Sequence, residues 1–580
     1  MKKYIAYIGL LAGLSACNKT VFDKADLTGV TPDVVWANES TANLYINKTY
    51  DLVMPAWPSG THNTSDETNN TGSSALLYGQ LTMNDIADIY GASGTGFYSN
   101  VYRCNLTREG IASGSMPADA KARLNGQNYF LRAYLYFSMV KLYGGVPLVL
   151  KTLDYKADNL NVSRSKTSVC IDSIVRDLDS CTGLPTSWGA ADKGRITRGA
   201  ALALKGKVLL FWASQQFNPT NDAARWERAY QANRAAYDTL VKDGFALYPT
   251  FANIFMDETS VNKEPIIIRS YDLLNKTTNI ENNTRPYSES TSGGGSNQPT
   301  LNLVKAFPMK NGLAITDVAS GYDPVYYWKN RDPRFDATVA YNGVVWALSQ
   351  KAGRKEWIYT KVKEDLGHES STGFYNRKMC NVNVLAANAA IGNGTDWIEM
   401  RLAEVMLNLA ECANATGRQS EAYTMLYAIR ARAGIPSGGG TYGLKAAMTQ
   451  TEMFTAIMAE RQIEFAFEGK RYDDLRRTKL WTTLNGTVRN GLSTDPKSPH
   501  TVAELETKDA FGVMLRDKLD LNGVDYTNYF TTKVTILDQT YNINFLDNYY
   551  FYAMPLSALQ SNPAIQQTVG WPGGVFDPLQ

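Results

Sequence analysis

The strongest constraint on the fold is an apolar periodicity of three and four residues that comes in pairs of segments, each pair joined by a short break. Across Ala118 to Tyr143, the side chains Leu124, Phe130, Tyr134, Phe137 and Val140 fall near one helical face, and Gly144-Gly145 followed by Pro147 ends the run. A second helix is expected from Ser165, carrying Ile171, Ile174 and Leu178. Thr197 has the position of a cap for a third, with Ala201, Leu204, Val208 and Trp212 turned inward. A fourth runs from about Asp222 to Val241 through Trp226, Tyr230, Tyr237 and Leu240, so residues 118–242 read as two helical hairpins.

The periodicity returns at residues 395–470. Thr395 or Asp396 is placed to cap a helix in which Ile398, Leu402, Val405, Leu409 and Ala413 recur, and Gly417 supplies a left-handed stop. Ser420 opens its partner, with Ala422, Leu426 and Ile429 on one side before Gly434 and Pro436. Small residues at Ala403, Ala410, Ala422 and Ala428 let the two backbones approach, as in a tetratricopeptide-like unit, although no strict repeat of about 34 residues runs through the chain. Between residues 245 and 395 the periodicity fades. Asn, Thr, Gly, Ser and Pro become frequent, Ser292-Gly293-Gly294-Gly295-Ser296 is a turn, and short strands are expected near Pro265 to Arg269 and Val339 to Trp346. Residues 484–550 look similarly polar and turn-rich. The expected fold is mainly α, a tetratricopeptide-like helical-repeat scaffold with long irregular loop-rich insertions.

The N-terminus fixes the compartment. Lys2 and Lys3 precede an apolar run from Tyr4 to Leu14, and Leu14-Ser15-Ala16-Cys17 follows. This is an export signal ending in a lipobox, with residues 1–16 removed and the Cys17 thiol lipidated; an ordinary secretory signal with Cys17 incidental is the plainer alternative. The run is too short to span a bilayer, and nothing later offers about 18 uninterrupted apolar residues. Residues 17–580 are expected to form one domain. Removing residues 1–16 takes away two of the 58 basic side chains and none of the 56 acidic ones, which leaves equal numbers of both. That balance gives no electrostatic case for nucleic acid.

Catalytic and metal constellations are thin. His62, His368 and His500 are the only histidines and lack metal-ligand spacing, so no metal and no histidine-based triad is expected. The six cysteines, at 17, 104, 170, 181, 380 and 412, show no C-x-x-C, although Cys170 and Cys181 are near enough in sequence to pair. The glycines at 293–295 lack the lysine of a phosphate loop. Glu460, Glu464 and Glu468 stand at i, i+4 and i+8 and so share one helix face, with Arg461, Arg471, Arg476 and Arg477 near enough in sequence to neutralise them. Two carboxylates about 5 to 10 Å apart are what glycoside hydrolysis uses. Acids set among arginines more often form a structural ion-pair network, here one that locks the last helix to the array.

Several blocks in order resemble the SusD/RagB family of lipid-anchored outer-membrane nutrient-binding proteins. They include Leu131-Arg132-Ala133-Tyr134 leading to Tyr143-Gly144-Gly145-Val146-Pro147, then Asn330-Arg331-Asp332-Pro333-Arg334-Phe335, Ser371-Thr372-Gly373-Phe374-Tyr375 and Arg401-Leu402-Ala403-Glu404. Glu460 to Gly469 with Arg471-Tyr472-Asp473-Asp474-Leu475-Arg476-Arg477, and the closing Tyr552-Ala553-Met554-Pro555, continue the likeness. The resemblance implies a non-catalytic protein of the cell surface, anchored in the outer membrane through Cys17, that needs no cofactor. It would bind oligosaccharides and deliver them to a SusC-like TonB-dependent transporter. In similar proteins the ligand surface is built from the loop after the first acidic segment and from the irregular insertion. Here those regions offer an aromatic platform of Tyr90, Tyr287 and Trp328, with Asp85 and Arg285 as hydrogen-bond partners. Two other readings stay open: a RagB-like peptide binder, and an exported hydrolase using the carboxylates above.

Overall fold

The computed structural model describes residues 32–58, 65–69, 74–87, 89, 96–290 and 293–580. Among the described residues, the helices of eight or more residues before the irregular segment are α1 (Glu39–Val53), α2 (Phe97–Ser113), α3 (Ala118–Tyr143), α4 (Thr167–Asp179), α5 (Arg198–Ala213) and α6 (Ala223–Lys242). Those after it are α7 (Leu402–Ala415), α8 (Gln419–Arg432), α9 (Gln450–Glu464) and α10 (Lys470–Arg477). Their ends are set where the local chemistry places them. The Thr197 hydroxyl accepts from Ala200 N at 3.2 Å, Asp222 accepts from Ala224 N at 2.8 Å, and Gly417 turns with φ +79°. Thr449 and Glu452 form a reciprocal capping box at the start of α9.

One apolar core runs through all the helices, from Ile46 of α1 through Phe130, Leu204, Leu409 and Leu426 to Tyr472 of α10. The hairpins stack closely because small residues sit at the crossings. A Cβ at Gly206 of α5 would meet Asn233 Oδ1 of α6 at 2.5 Å, so only glycine fits there. Asn233 uses that approach to donate to Gly206 O at 3.0 Å. Cys170 and Cys181 are buried and free rather than paired, each thiol directed at backbone carbonyls, Val146 O and Gly126 O respectively.

The irregular segment has its own core, in which Trp57, Phe255, Phe307, Trp328, Phe335, Trp357 and Phe374 meet, with a smaller cluster about Trp346 beside it. Its stem differs from the sequence expectation. Trp397–Arg401 is not the first turn of a helix but a strand, β2, paired antiparallel with β1 (Pro265–Arg269). The apolar spacing of Ile398 and Leu402 runs across the strand–helix boundary and hides it. Asp396 does not cap; it accepts from Tyr271 N at 2.7 Å and thereby closes the stem. The expected strand near Val339 to Trp346 is two short pieces, Val339–Ala340 and Val344–Val345, with different partners. Residues 484–550, expected to be polar and turn-rich, contain an antiparallel ribbon of β3 (Asn490–Pro496) and β4 (Phe530–Ile536).

The carboxylates of α9 meet guanidiniums that are remote in sequence, not the neighbouring arginines. Glu460 pairs with Arg334 at 2.6 Å and Arg430 at 2.8 Å. Glu464 pairs with Arg334 at 2.8 Å, Arg401 at 2.7 Å and Arg432. The helix ends at Glu464, and Phe467 takes φ +65°, so Glu468 leaves the shared face; it reaches Arg401 at 2.8 Å and Lys378 at 2.6 Å instead. Glu264 joins through Arg401 and Arg432, and Asp332 through Arg334. Burial works to raise the Glu464 carboxyl, and Arg432, Arg401 and Arg334 more than reverse it, holding it well below the usual range. The nearby arginines are engaged elsewhere: Arg461 with Asp474, Arg471 with Asp66, Arg477 with Glu411 and Asp474, and Arg476 with the carbonyls of Leu142 and Tyr550. The network clamps α8, α9, the β1–β2 stem and Arg334 of the irregular segment together. Every carboxylate in it is buried, so none is placed to meet a glycosidic bond.

Candidate ligand-binding face

Three distant stretches of chain converge on one face of the irregular segment. Thr68–Asn69 pairs antiparallel with Gln298–Pro299, and Gln298 Oε1 gathers Ser370 Oγ (3.1 Å), Ser371 Oγ (2.9 Å) and Thr372 N (3.2 Å). Asn69 Nδ2 donates to Ser371 Oγ at 3.0 Å. Gly293 to Gly295 lies back against residues 285–290, where Gly295 N donates to Arg285 O at 2.8 Å. Gly294 has φ +118°, and a Cβ there would meet Arg285 O at 2.5 Å, so the turn requires glycine.

Tyr287 opens a helical turn behind Pro286, and its ring lies on the imidazole of His368 with centroids 3.8 Å apart and planes 8° from parallel. Asp365 sets that stack: its Oδ1 accepts from Ser288 N at 2.7 Å and its carbonyl from His368 N at 2.8 Å. Tyr287 is half-buried and His368 exposed, so the pair offers a flat ring surface beside carboxamide and hydroxyl groups. At the foot of the face, burial and the adjacent Asp66 push the Glu67 carboxyl up to about 8 against Arg471 and Lys378.

Ser288 also lines a cleft of about 530 Å³ with Glu289, Lys351, Arg354, Glu356 and Trp357. Arg354 bridges Glu289 at 3.0 Å and Glu356 at 2.8 Å. Burial pushes the Glu356 carboxyl up to about 7 against the pull of Arg354, with Asp365 and Glu289 adding to the rise. Glu289 goes the other way: Lys351, Ser349 and Arg354 outweigh burial and lower it. Two carboxyls of opposite tendency in a cleft resemble an acid–base pair. Their side chains are only 3% and 2% exposed and both are held by Arg354, which keeps them from the reach that general acid catalysis demands.

Of the described residues singled out from sequence as ligand contacts, Tyr287 alone lies on this face. Arg285 has 0% exposure: its guanidinium is tied to Glu281 at 2.6 Å and to the carbonyls of Asn381 and Val384, so it supports the turn from below. Trp328 is 6% exposed and packs among Tyr327, Tyr341 and Tyr526, its Nε1 donating to Asn522 at 3.2 Å. Asp85 is exposed but spent locally, accepting from Thr82 N at 2.8 Å and Thr82 Oγ1 at 2.7 Å. Its segment lies against Tyr549 of the helical body. Tyr90 and Cys17 lie outside the described residues. The sequence reading missed His368, Gln298, Ser370 and Ser371; the turn-rich run Gly367-His368-Glu369-Ser370-Ser371-Thr372-Gly373 was the available signal. No group of metal-ligating side chains is assembled among the described residues.

The molecule is thus a helical array that carries a candidate aromatic and polar face on an irregular insertion. The model of the SusD family matches residues 263–571, and that of a family described as starch-binding and associating with the outer membrane matches residues 33–210. The chain belongs to the SusD family. It is 25% identical over 510 residues to SusD-like protein P2 of Formosa agariphila, covering 84% of this chain and 89% of that protein. A SusD-like protein from Bacteroides fragilis has a crystal structure that superposes with a TM-score of 0.74 at 26% identity, covering 94% of this chain and 100% of that one. A SusD-like carbohydrate-binding protein from the same organism gives a TM-score of 0.70 at 22% identity, covering 91% and 99% of the two chains.

Proposed function

We propose that the protein is a cell-surface lipoprotein that binds neutral or mixed oligosaccharides on the Tyr287 face and delivers them to a TonB-dependent outer-membrane transporter without chemical change. The observation that carries this reading is the half-buried Tyr287 ring laid flat on the exposed His368, on the same face as Asn69, Ser370 and Ser371. Sugar C–H faces stack on such rings, while hydroxyls bond to carboxamides and to other hydroxyls. The likeness to proteins described as starch-binding and carbohydrate-binding supports the ligand class. Family membership supports the transporter partner, and the lipobox supports the lipid anchor at Cys17.

Isothermal titration against a panel of oligosaccharides and a peptide pool tests the reading. Saccharide binding that weakens about tenfold in Tyr287→Ala supports it, and binding only to peptides transfers the same face to a peptide cargo. Release of reducing ends by the purified protein would instead revive hydrolysis. Metabolic labelling with a palmitate analogue should mark the wild type and miss Cys17→Ala, and protease treatment of intact cells should degrade the protein if it faces outward.

A further inference from the structure

A second cleft opens on the helical body, built from elements that contribute nothing to the Tyr287 face. It lies where the C-terminal ends of α5 and α7 meet the N-terminal ends of α6 and α9, and it holds about 380 Å³, within the range of roughly 300–1,000 Å³ usual for small-molecule sites. Its lining is unusual for a gap between helices. Trp226 and Phe454 present half-buried rings, and the polar groups between them are carboxamides and hydroxyls.

Several of these groups hold unused hydrogen-bonding capacity. Asn414 is 3% exposed and its Oδ1 has no partner, while its Nδ2 donates to Gln450 O at 2.8 Å and so fixes the side chain in place. Gln450 Nε2 returns the contact to Asn414 O at 2.9 Å. Asn221 Oδ1 accepts from Trp226 Nε1 at 2.7 Å, which orients the indole and leaves the Asn221 amide hydrogens for a guest. A buried acceptor left unpaired is costly, so a ligand or water that reaches Asn414 is favoured.

Charge narrows the class. The single ionisable side chain lining the cleft is Glu411, and Arg477 takes both its oxygens, at 2.6 and 2.7 Å. Neither a free cation for a uronate nor a free anion for a basic peptide remains. Flat rings, fixed carboxamides and a neutralised floor match an uncharged polyhydroxylated ring compound. We infer that this cleft is a second saccharide site, taking one or two neutral pyranose units, separate from the Tyr287 face.

Fluorotryptophan incorporated into the whole protein provides the readout, with the Trp226 resonance assigned by its loss in Trp226→Phe. The probes are maltohexaose, laminarihexaose and mannohexaose, with trigalacturonate and hexaglycine as contrasts. The Trp226 resonance should move with at least one neutral hexasaccharide, and the apparent Kd should rise about tenfold when Gln215→Ala and Thr451→Val, both exposed positions, are combined. The same movement should persist in Tyr287→Ala, which separates this site from the function proposed above. A resonance unmoved by all three neutral sugars at millimolar concentration overturns the inference, as does one that moves only with trigalacturonate or hexaglycine.

Discussion

A buried carboxylate at the junction of the helices with the irregular segment and one in the neighbouring cleft hold protons in opposite ways. At the junction, Glu464 faces three guanidiniums and is held well below the usual carboxylate range. In the cleft, Glu356 has Arg354 alone, shared with Glu289, and rises to about 7. Burial is the largest influence on both and raises both; the number of guanidiniums each carboxylate can reach decides the outcome. The junction is thus a clamp whose charges are fixed over the physiological range. In the cleft, by contrast, the Glu356 carboxyl changes charge near neutral pH.

The largest test of this contrast is Arg401→Met. It removes one cation from Glu264, Glu464 and Glu468 together and leaves buried charge without a partner, which should cost about 3–5 kcal/mol in urea unfolding. An unchanged midpoint would mean that the clamp carries no weight. A pH titration comes next. Because the Glu356 carboxyl sits above its ordinary 4.5, its contribution to stability is complete below about 4.5 and is lost as pH rises through about 7. Glu460, Glu464 and Glu468 are lowered, so their contribution is present above the ordinary range and is lost only as acid protonates them. Amide exchange around residues 344–365, corrected for intrinsic rates, should therefore speed up between about pH 5 and pH 8 while α9 stays protected, and Glu356→Gln should flatten the change.

Tyr287→Ala probes the open side alone. It should weaken saccharide binding by about 1–2 kcal/mol, roughly tenfold in Kd, with unfolding nearly unaffected. Smallest is Trp328→Phe, which removes the hydrogen bond to Asn522 and should cost about 0.5–1.5 kcal/mol of stability at unchanged affinity. A loss of binding there would return Trp328 to the ligand surface.

The helical half of the molecule was legible because its signals are local. Thr197, Asp222 and Gly417 sit at helix ends and act there through neighbours two to four residues away. The irregular half is decided by partners far along the chain. Arg285 reads as a free cation until Asn381 and Val384, about a hundred residues on, bring the carbonyls that bury it. Trp397 to Arg401 has helical spacing, yet pairing with Pro265 to Arg269 makes it a strand. β3 and β4 escaped notice for the same reason, since more than thirty residues separate the two strands of that ribbon. Tyr287 was found because an aromatic in a turn-rich stretch is a fair candidate. His368 was passed over because histidine was weighed only as a metal ligand or a base.

The five cysteines among the described residues are all buried and reduced, and they are unevenly shared: Cys104, Cys170, Cys181 and Cys412 belong to the helical core, Cys380 to the small cluster about Trp346. A maleimide added to native protein without Cys17 should therefore find nothing to alkylate until part of the chain opens. The order in which peptides carrying the adduct appear then works as a clock, and an early mark on Cys380 would time the breathing of the ligand-bearing half against the rods that hold it.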